Sequence, residues 1–195
     1  MACNTSITAG ATTASQEPSE WVRRWAHWVP HAGTEAQGGG HGGRVLDVAC
    51  GSGRHLRFFH ERGHPVMGVD RDRSALAAAR VALPEATLIE ADIEQAPWPL
   101  TGQTFAGVIV TNYLWRALLA TLVQSVAPGG VLIYETFALG NEQYGRPSNP
   151  DFLLRPGELL AACANGPVPL RVIAYEDVTL DSPPRCVQRV AAVRE

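Results

Sequence analysis

The sequence contains no lysine, so all 16 of its basic residues are arginine, against 19 acidic residues and a formal net charge of −3. The arginines are scattered and form no cluster larger than a pair. A continuous basic face for a phosphate backbone is therefore missing, and we expect no nucleic-acid partner.

Paired or metal-binding cysteines are also missing. The four cysteines lie far apart, without a Cys-x-x-Cys pair. His55, His60 and His64 lie close together, but no carboxylate or thiol stands near them at ligand spacing. We expect free thiols and no metal site. The sequence also has no signal-peptide pattern and no apolar run of membrane-spanning length, which predicts a cytoplasmic protein without a membrane partner.

With 195 residues, 46% of them hydrophobic, the chain is long enough for one sizeable core. Residues 1–17 are polar and aperiodic, so we expect a disordered tail followed by a single domain over 18–195. Ser19 is a candidate helix N-cap. Trp21, Trp25 and Trp28 follow at helical spacing and predict one apolar face, which either covers a ligand or packs on a sheet. A glycine-rich connector then runs to residue 43.

From residue 44 onward the pattern alternates between strands and helices. Strands are predicted at 44–49, 64–70, 86–91, 105–111 and 131–136, with helices at 52–62, 74–83 and 113–126. Such alternation through short loops favours a parallel, doubly wound α/β sheet. The remaining chain predicts a helix at 156–164 and an antiparallel hairpin at 170–180 and 186–193.

The strongest motif is an apolar strand that leads into a glycine turn, Val45-Leu46-Asp47-Val48-Ala49-Cys50-Gly51-Ser52-Gly53. Glycines permit sharp turns and close approach to a ligand, and free amides at a helix start favour an anionic group. Asp47 would repel a pyrophosphate but suits an ammonium group. The dinucleotide pattern needs a third glycine where this sequence has Leu56.

Two further acids follow predicted strands. Asp70 ends the second strand, where a carboxylate can accept hydrogen bonds from ribose hydroxyls. Asp92, just after the third strand, can accept from an adenine amino group, and Ile93 offers a backbone amide. Each acid singly has an ordinary structural explanation, because acids often cap turns and end strands. Three such acids together with a glycine loop at one sheet edge favour a ligand site.

These segments, with Gly68-Val69-Asp70, Ala91-Asp92-Ile93 and Pro128-Gly129-Gly130, resemble the class I S-adenosylmethionine-dependent methyltransferases, nearest to small-molecule members such as the tellurite-resistance enzymes. The resemblance implies a Rossmann-like, doubly wound seven-stranded sheet whose last strand is antiparallel, with S-adenosylmethionine as cofactor. It implies that the glycine loop holds the methionyl part, that Asp47 orients the amino group, and that Asp70 holds the ribose. The complete set of expected cofactor residues is Asp47, Cys50, Gly51, Ser52, Gly53, Asp70, Arg71, Asp92, Ile93 and Asn112.

Candidates for the acceptor side lie after the fourth and fifth strands: Asn112, Tyr113, Trp115 and Arg116, then Glu135, Asn141, Tyr144 and Arg146. Residues 138–151 form a long segment without helical or strand periodicity, and such segments are usually functional or disordered. We predict that Tyr144 and Arg146 help to form the acceptor pocket, with Glu135 at its floor as a possible base. Asn112-Tyr113 lacks the prolines of the Asn/Asp-Pro-Pro-Tyr motif found in enzymes that methylate nucleic-acid amino groups, so a small-molecule acceptor is favoured.

Two other functions remain open at this point. The first is a catalytically silent cofactor-binding partner protein, because methyltransferases share no universal catalytic residue. The second is a nicotinamide-dependent oxidoreductase, against which stand Asp47, the missing third glycine and the lack of any Tyr-x-x-x-Lys pair. The oligomeric state stays open.

Overall fold

The computed structural model describes residues 17–33 and 42–195, so most of the predicted tail and of the glycine-rich connector lies outside the described residues. The elements are α1 (Glu20–Trp25, continued by a 3-10 turn at Ala26–Trp28), β1 (Val45–Val48), α2 (Arg54–His60), β2 (Val66–Asp70), α3 (Arg73–Ala82), β3 (Thr87–Glu90), β4 (Phe105–Thr111), α4 (Leu119–Gln124, preceded by a 3-10 turn at Arg116–Leu118), β5 (Val126–Phe137), α5 (Glu158–Asn165), β6 (Arg171–Asp181) and β7 (Pro184–Val193). Two further 3-10 turns lie between β5 and α5, at Asn141–Gln143 and Pro150–Phe152.

The strands form one seven-stranded sheet in the order β3-β2-β1-β4-β5-β7-β6. The first five strands along the chain pair in parallel, whereas β7 is antiparallel to both β5 and β6. The predicted α/β fold, including its antiparallel last strand and terminal hairpin, is confirmed.

Helices cover both faces of the sheet, which explains why the central strands are apolar along their whole length. β4 is buried at all seven positions. On one face, Trp21 of α1, Phe59 of α2 and Leu76 of α3 belong to one apolar cluster. On the other face, Leu122 of α4 and Leu159 of α5 belong to a second. A parallel sheet with both faces covered is the expected outcome of helical crossovers.

The helix α1 begins as its sequence predicts. The Ser19 side chain accepts hydrogen bonds from the backbone N–H groups of Trp21 and Val22, which makes it the N-cap. Trp21 is fully buried, and its indole N–H donates to the Val190 carbonyl at 3.2 Å. The helix therefore packs on the sheet. The prediction that Trp28 shares the buried face is wrong, since it is 40% exposed. The chain tightens into a 3-10 turn there, which rotates Trp28 away from the sheet.

Several boundaries differ from the sequence prediction. Helix α4, predicted at 113–126, begins at Leu119 after the 3-10 turn at Arg116–Leu118. Strand β5 begins at Val126, so Pro128-Gly129-Gly130 lies inside the strand, beside an irregularity in its pairing with β4. Helix α5 begins at Glu158, because Gly157 adopts a positive φ of 73° and forms its N-cap; Pro156 is therefore outside the helix. Within the described residues, no helix is both long and apolar enough to cross a membrane.

Candidate active site

The carboxyl ends of β1, β2 and β4 lie side by side and form the base of the site. Val48, the last residue of β1, pairs with Val69 of β2 and Val110 of β4. Just beyond these ends, Ala49 and Asn112 both have a positive φ of 54°, although neither is glycine. Such backbone costs about 1 kcal/mol per residue and concentrates at functional sites. The two positions mark the strand ends where the ligand cleft of a doubly wound sheet is found.

The glycine loop between β1 and α2 has the backbone that its sequence predicts. Gly51 and Gly53 have φ values of 52° and 81°, in the left-handed region that glycine tolerates. The thiol of Cys50 packs into the core, since a Cβ placed on Gly68 would lie 2.7 Å from its sulfur. Burial raises the pKa of this thiol. Cys50 can therefore meet a ligand only through its backbone.

Asp47 lies within β1, one residue before the strand ends, on the face covered by α2. It is 1% exposed, and its Oδ2 has no hydrogen-bond partner. His55 Nδ1 lies 3.7 Å from that oxygen, beyond hydrogen-bond distance. A buried carboxylate oxygen without a donor is unfavourable unless a ligand supplies one. The residue fits a bound ammonium group.

Asp70 joins the glycine loop to the end of β2. Its Oδ2 accepts from the Gly51 N–H at 2.7 Å, and its Oδ1 accepts from the Asp72 N–H at 2.8 Å. A carboxylate has about four acceptor positions, so these two bonds leave capacity for ribose hydroxyls.

A cavity of about 120 Å³ opens beside Asp70. Its lining includes four predicted cofactor residues, Asp70, Arg71, Asp92 and Ile93. Asp92 Oδ1 accepts from the N–H groups of Glu94 and Gln95, so this oxygen caps a turn. The other carboxylate oxygen takes no part in these two hydrogen bonds. The structure thus brings the predicted ribose and adenine residues to one cavity.

Tyr113 lines the same cavity, whereas the sequence placed it among candidates on the acceptor side. Its hydroxyl is buried without a hydrogen-bond partner, and burial raises its pKa. The phenol therefore stays protonated at neutral pH and is a donor available to a ligand. No sequence pattern pointed to this role, because a tyrosine after a strand is equally common in a core.

Glu135 lies under the start of α1. Its Oε1 accepts from the Ser19 hydroxyl at 2.9 Å, and its Oε2 lies 3.1 Å from the Arg189 guanidinium. The cross-strand register places Glu135, Arg189 and Glu176 in one row on this face of the sheet. Arg189 also contacts Glu20 at 3.4 Å and Glu176 at 2.5 Å. Glu135 is therefore a paired, buried carboxylate that helps to hold α1.

The segment after β5 is more ordered than its sequence indicates. Asn141 is 2% exposed; its Nδ2 donates to the Pro147 carbonyl and its Oδ1 accepts from the Cys186 N–H. Tyr144 and Arg146, the two predicted acceptor residues, are exposed. Glu135 points instead beneath α1, and the structure gives no contact between it and Tyr144 or Arg146 among the described residues.

Other titratable clusters in the described ranges give no metal centre, since no group of three or more His, Cys, Asp or Glu side chains is placed to hold an ion. His64 Nδ1 donates to the Gly43 carbonyl at 3.0 Å, and its ring stacks on His31. His55 contacts Asp47 and the start of α1 instead.

This arrangement defines a doubly wound α/β domain with a cluster of polar groups at the carboxyl edge of its sheet, and comparison with solved structures identifies the same fold. A TehB-like SAM-dependent methyltransferase from Corynebacterium glutamicum superposes with a TM-score of 0.62 at 16% identity, covering 90% of this chain and 87% of that one. An S-adenosylmethionine-dependent methyltransferase from Mesorhizobium loti gives a TM-score of 0.59 at 22% identity, covering 77% and 90%.

Sequence comparison gives a match to a domain family. Residues 45–130 match the methyltransferase domain family. A malonyl-[acyl-carrier protein] O-methyltransferase from Serratia marcescens is 34% identical over 108 residues, 52% of this chain and 41% of the relative. A trans-aconitate 2-methyltransferase from Delftia acidovorans is 36% identical over 97 residues, 45% and 35% respectively. The chain thus spans less than half the length of these curated relatives. Residues 45–130 therefore match a methyltransferase domain, as the resemblance in the sequence predicts, and the fold is that of the S-adenosylmethionine-dependent methyltransferases.

Proposed function

We propose that the chain catalyses S-adenosylmethionine-dependent methyl transfer to a polar small molecule. The observation that carries the proposal is the buried Asp47 carboxylate, whose Oδ2 lacks a hydrogen-bond partner beside the glycine loop. The amino group of the cofactor supplies a charged donor to that oxygen, whereas a dinucleotide pyrophosphate would be repelled by it.

Each part of the cofactor has residues that fit it. The Gly51–Gly53 loop and Asp47 would hold the methionyl part, Asp70 the ribose, and Asp92 with Ile93 the adenine. When bound, the cofactor supplies a methyl group activated by a sulfonium. The protein's contribution is to orient that group and the acceptor, since methyl transfer depends chiefly on an in-line approach.

We assign the acceptor side to the exposed segment after β5, with Tyr144 and Arg146 as contacts. Glu135 as a base stays a prediction that its ion pair with Arg189 disfavours. Arg54 supports an acceptor with a carboxylate: its guanidinium lies 3.3 Å from the Thr111 hydroxyl at the end of β4, and it makes no ion pair within the described residues. The names of the malonyl and aconitate relatives point to the same chemistry.

We also propose a cytoplasmic protein without a nucleic-acid partner. The three described cysteines are free thiols, which suits a reducing compartment.

The cofactor assignment is tested by thermal unfolding with S-adenosylmethionine, S-adenosylhomocysteine, NADH or NADPH. At about 100 times Kd, a ligand of the native state stabilises by roughly 2.7 kcal/mol, which corresponds to several degrees in Tm for a chain of this size. We expect the two adenosyl ligands to raise Tm and the nicotinamide cofactors to leave it unchanged. Stabilisation by a nicotinamide cofactor alone would overturn the proposal.

Catalysis is tested separately by following release of S-adenosylhomocysteine with a panel of acceptors that includes di- and tricarboxylates and amino sugars. Turnover on any of them supports the enzyme. Cofactor binding without turnover across the panel would favour the silent partner protein instead.

A further inference from the structure

A buried histidine connects the start of α1 to the cofactor side of the site. The backbone N–H of Ser19 donates to His55 Nε2 at 3.2 Å, and His55 Nδ1 lies 3.7 Å from Asp47 Oδ2. The side chains of His55 and Asp47 are 2% and 1% exposed. The Ser19 hydroxyl donates to Glu135, so the same residue is held from both sides.

These contacts select the tautomer of His55. A backbone N–H is only a donor, so Nε2 must be unprotonated to accept from it. A neutral imidazole then has its proton on Nδ1, the nitrogen that faces Asp47. This N–H group lies beside the carboxylate, but the distance of 3.7 Å between Nδ1 and Oδ2 leaves Oδ2 without a hydrogen bond.

This geometry suits a carboxylate that must remain free to bind an ammonium group. A cationic histidine would neutralise Asp47 and compete with an incoming ammonium group. A neutral N–H donor orients the carboxylate while leaving its negative charge uncompensated.

We propose that His55 is a positioning residue, through which the segment before α1 sets Asp47 to receive the amino group of the cofactor. The inference rests on the proposed function. Ser19 fixes the tautomer of His55, and His55 orients the Asp47 carboxylate. Asp47 then contacts the amino group of the ligand. The start of α1 thereby contributes to cofactor affinity without contact with the cofactor.

The test compares two ligands by isothermal titration calorimetry. S-adenosylhomocysteine has the amino acid portion, whereas 5′-methylthioadenosine has the adenosine and sulfur but no amino group. A general structural role for His55 would alter both affinities alike. A positioning role towards Asp47 alters only the first.

The first variant pair changes the imidazole. His55→Leu removes both ring nitrogens, and His55→Asn keeps a donor at the δ position. We expect His55→Leu to weaken S-adenosylhomocysteine binding by about tenfold or more, since the polar N–H beside the Asp47 carboxylate is replaced by an apolar group, with methylthioadenosine affinity kept within about twofold. His55→Asn should recover most of the loss.

The second pair changes the backbone donor. Ser19 has a φ of −52°, which suits proline, so Ser19→Pro deletes the N–H with little backbone strain. Ser19→Ala is its matched control, since both variants lose the hydroxyl and only one loses the N–H. We expect Ser19→Pro to lose selectively more S-adenosylhomocysteine affinity than Ser19→Ala. If circular dichroism shows that His55→Leu does not fold, the Ser19 variants alone test the positioning role of His55.

Equal losses of affinity for both ligands, or unchanged affinity in His55→Leu and Ser19→Pro, would overturn the positioning role of His55. The proposed function would stand in either case. If the parent protein binds neither ligand, the proposed function fails as well. The two failures are therefore distinguishable by the parent titration.

Discussion

Asp70 connects the two backbone segments that enclose the ribose side of the cavity. Its carboxylate accepts from the Gly51 N–H in the glycine loop and from the Asp72 N–H after β2. A substitution there releases the loop and, under the proposed function, also removes a contact to the ribose. We therefore expect both effects to act on the adenosine part of the cofactor.

We expect Asp70→Ala to weaken S-adenosylhomocysteine binding by about tenfold or more, because a charged hydrogen-bond acceptor is lost. Methylthioadenosine, which retains the ribose, should weaken in parallel, in contrast with the His55 variants. Titration calorimetry measures both, with circular dichroism to check the fold.

Asp72→Ala is the matched control for this change. Asp72 caps α3 by accepting from the N–H groups of Ser74 and Ala75, so its loss should reduce the free energy of unfolding and spare affinity. Normal ligand affinity in a folded Asp70→Ala protein would mean that Asp70 has only a structural role.

The site residues that could be predicted from sequence are those whose signal is local. Asp47 lies near the end of an apolar strand, Asp70 ends one and Asp92 follows one, so strand alternation alone places them at one edge. The partners of His55 and Glu135 could not be predicted. Ser19 is 36 residues from His55, and Arg189 is 54 from Glu135. Such contacts depend on the sheet order and on how α1 docks, which periodicity does not encode.

Among the elements, the segment between β5 and α5 is fixed at both ends and exposed in its middle. Ala138 pairs with Leu154 in an isolated bridge, and Asn141 is buried and bonded to β7 through Cys186. Arg116 holds the far end by donating to the carbonyls of Asp151 and Leu153. This leaves an anchored loop whose tip can contact an acceptor.

Changing Tyr144 and Arg146 together to Ala should therefore lower turnover on an identified acceptor and leave S-adenosylmethionine affinity unchanged. Both side chains are exposed, so their loss should not disturb packing. Ser148→Ala, at an exposed position of the same loop, controls for general effects there. Parental turnover in the double variant, or a collapse of its cofactor affinity, would remove the loop from the acceptor site.

Element types were predictable, but several boundaries were not. The Pro128-Gly129-Gly130 turn signal lies inside β5, because the strand continues through an irregular pairing with β4. A Cβ on Gly130 would lie 2.8 Å from the Phe105 carbonyl, so this glycine serves close strand approach. Local turn chemistry was overridden there by a tertiary contact.

Across the whole molecule, Arg116 and Glu158 join α4, the loop and α5. The guanidinium contacts both Glu158 oxygens, at 2.6 and 3.0 Å. Burial raises the pKa of Glu158, but the hydrogen bonds from Arg116 and from the Arg155 N–H outweigh it and place the pKa below its ordinary value of 4.5. A lowered pKa in the folded protein stabilises it above the unfolded value, and this contribution is lost as the pH falls through the folded value.

We expect Glu158→Gln to lower the urea midpoint at neutral pH, with the difference from the parent shrinking below about pH 4 as Glu158 becomes protonated in the parent. Urea unfolding between about pH 3 and pH 7 measures this. Glu85→Gln, at an exposed position, should follow the parent throughout. A difference that stays constant with pH would show that the charge of Glu158 is not responsible.

The strand order also affects how the chain folds during synthesis. β7 follows β5 and β6 in the chain but lies between them in the sheet. Until β7 leaves the ribosome, β5 has an unpaired edge, and Glu135 lacks its arginine. Unpaired edges promote misassociation, and pairing between distant segments is slow. The nascent chain thus completes its five parallel strands first, and it is during this interval that a chaperone would protect it most.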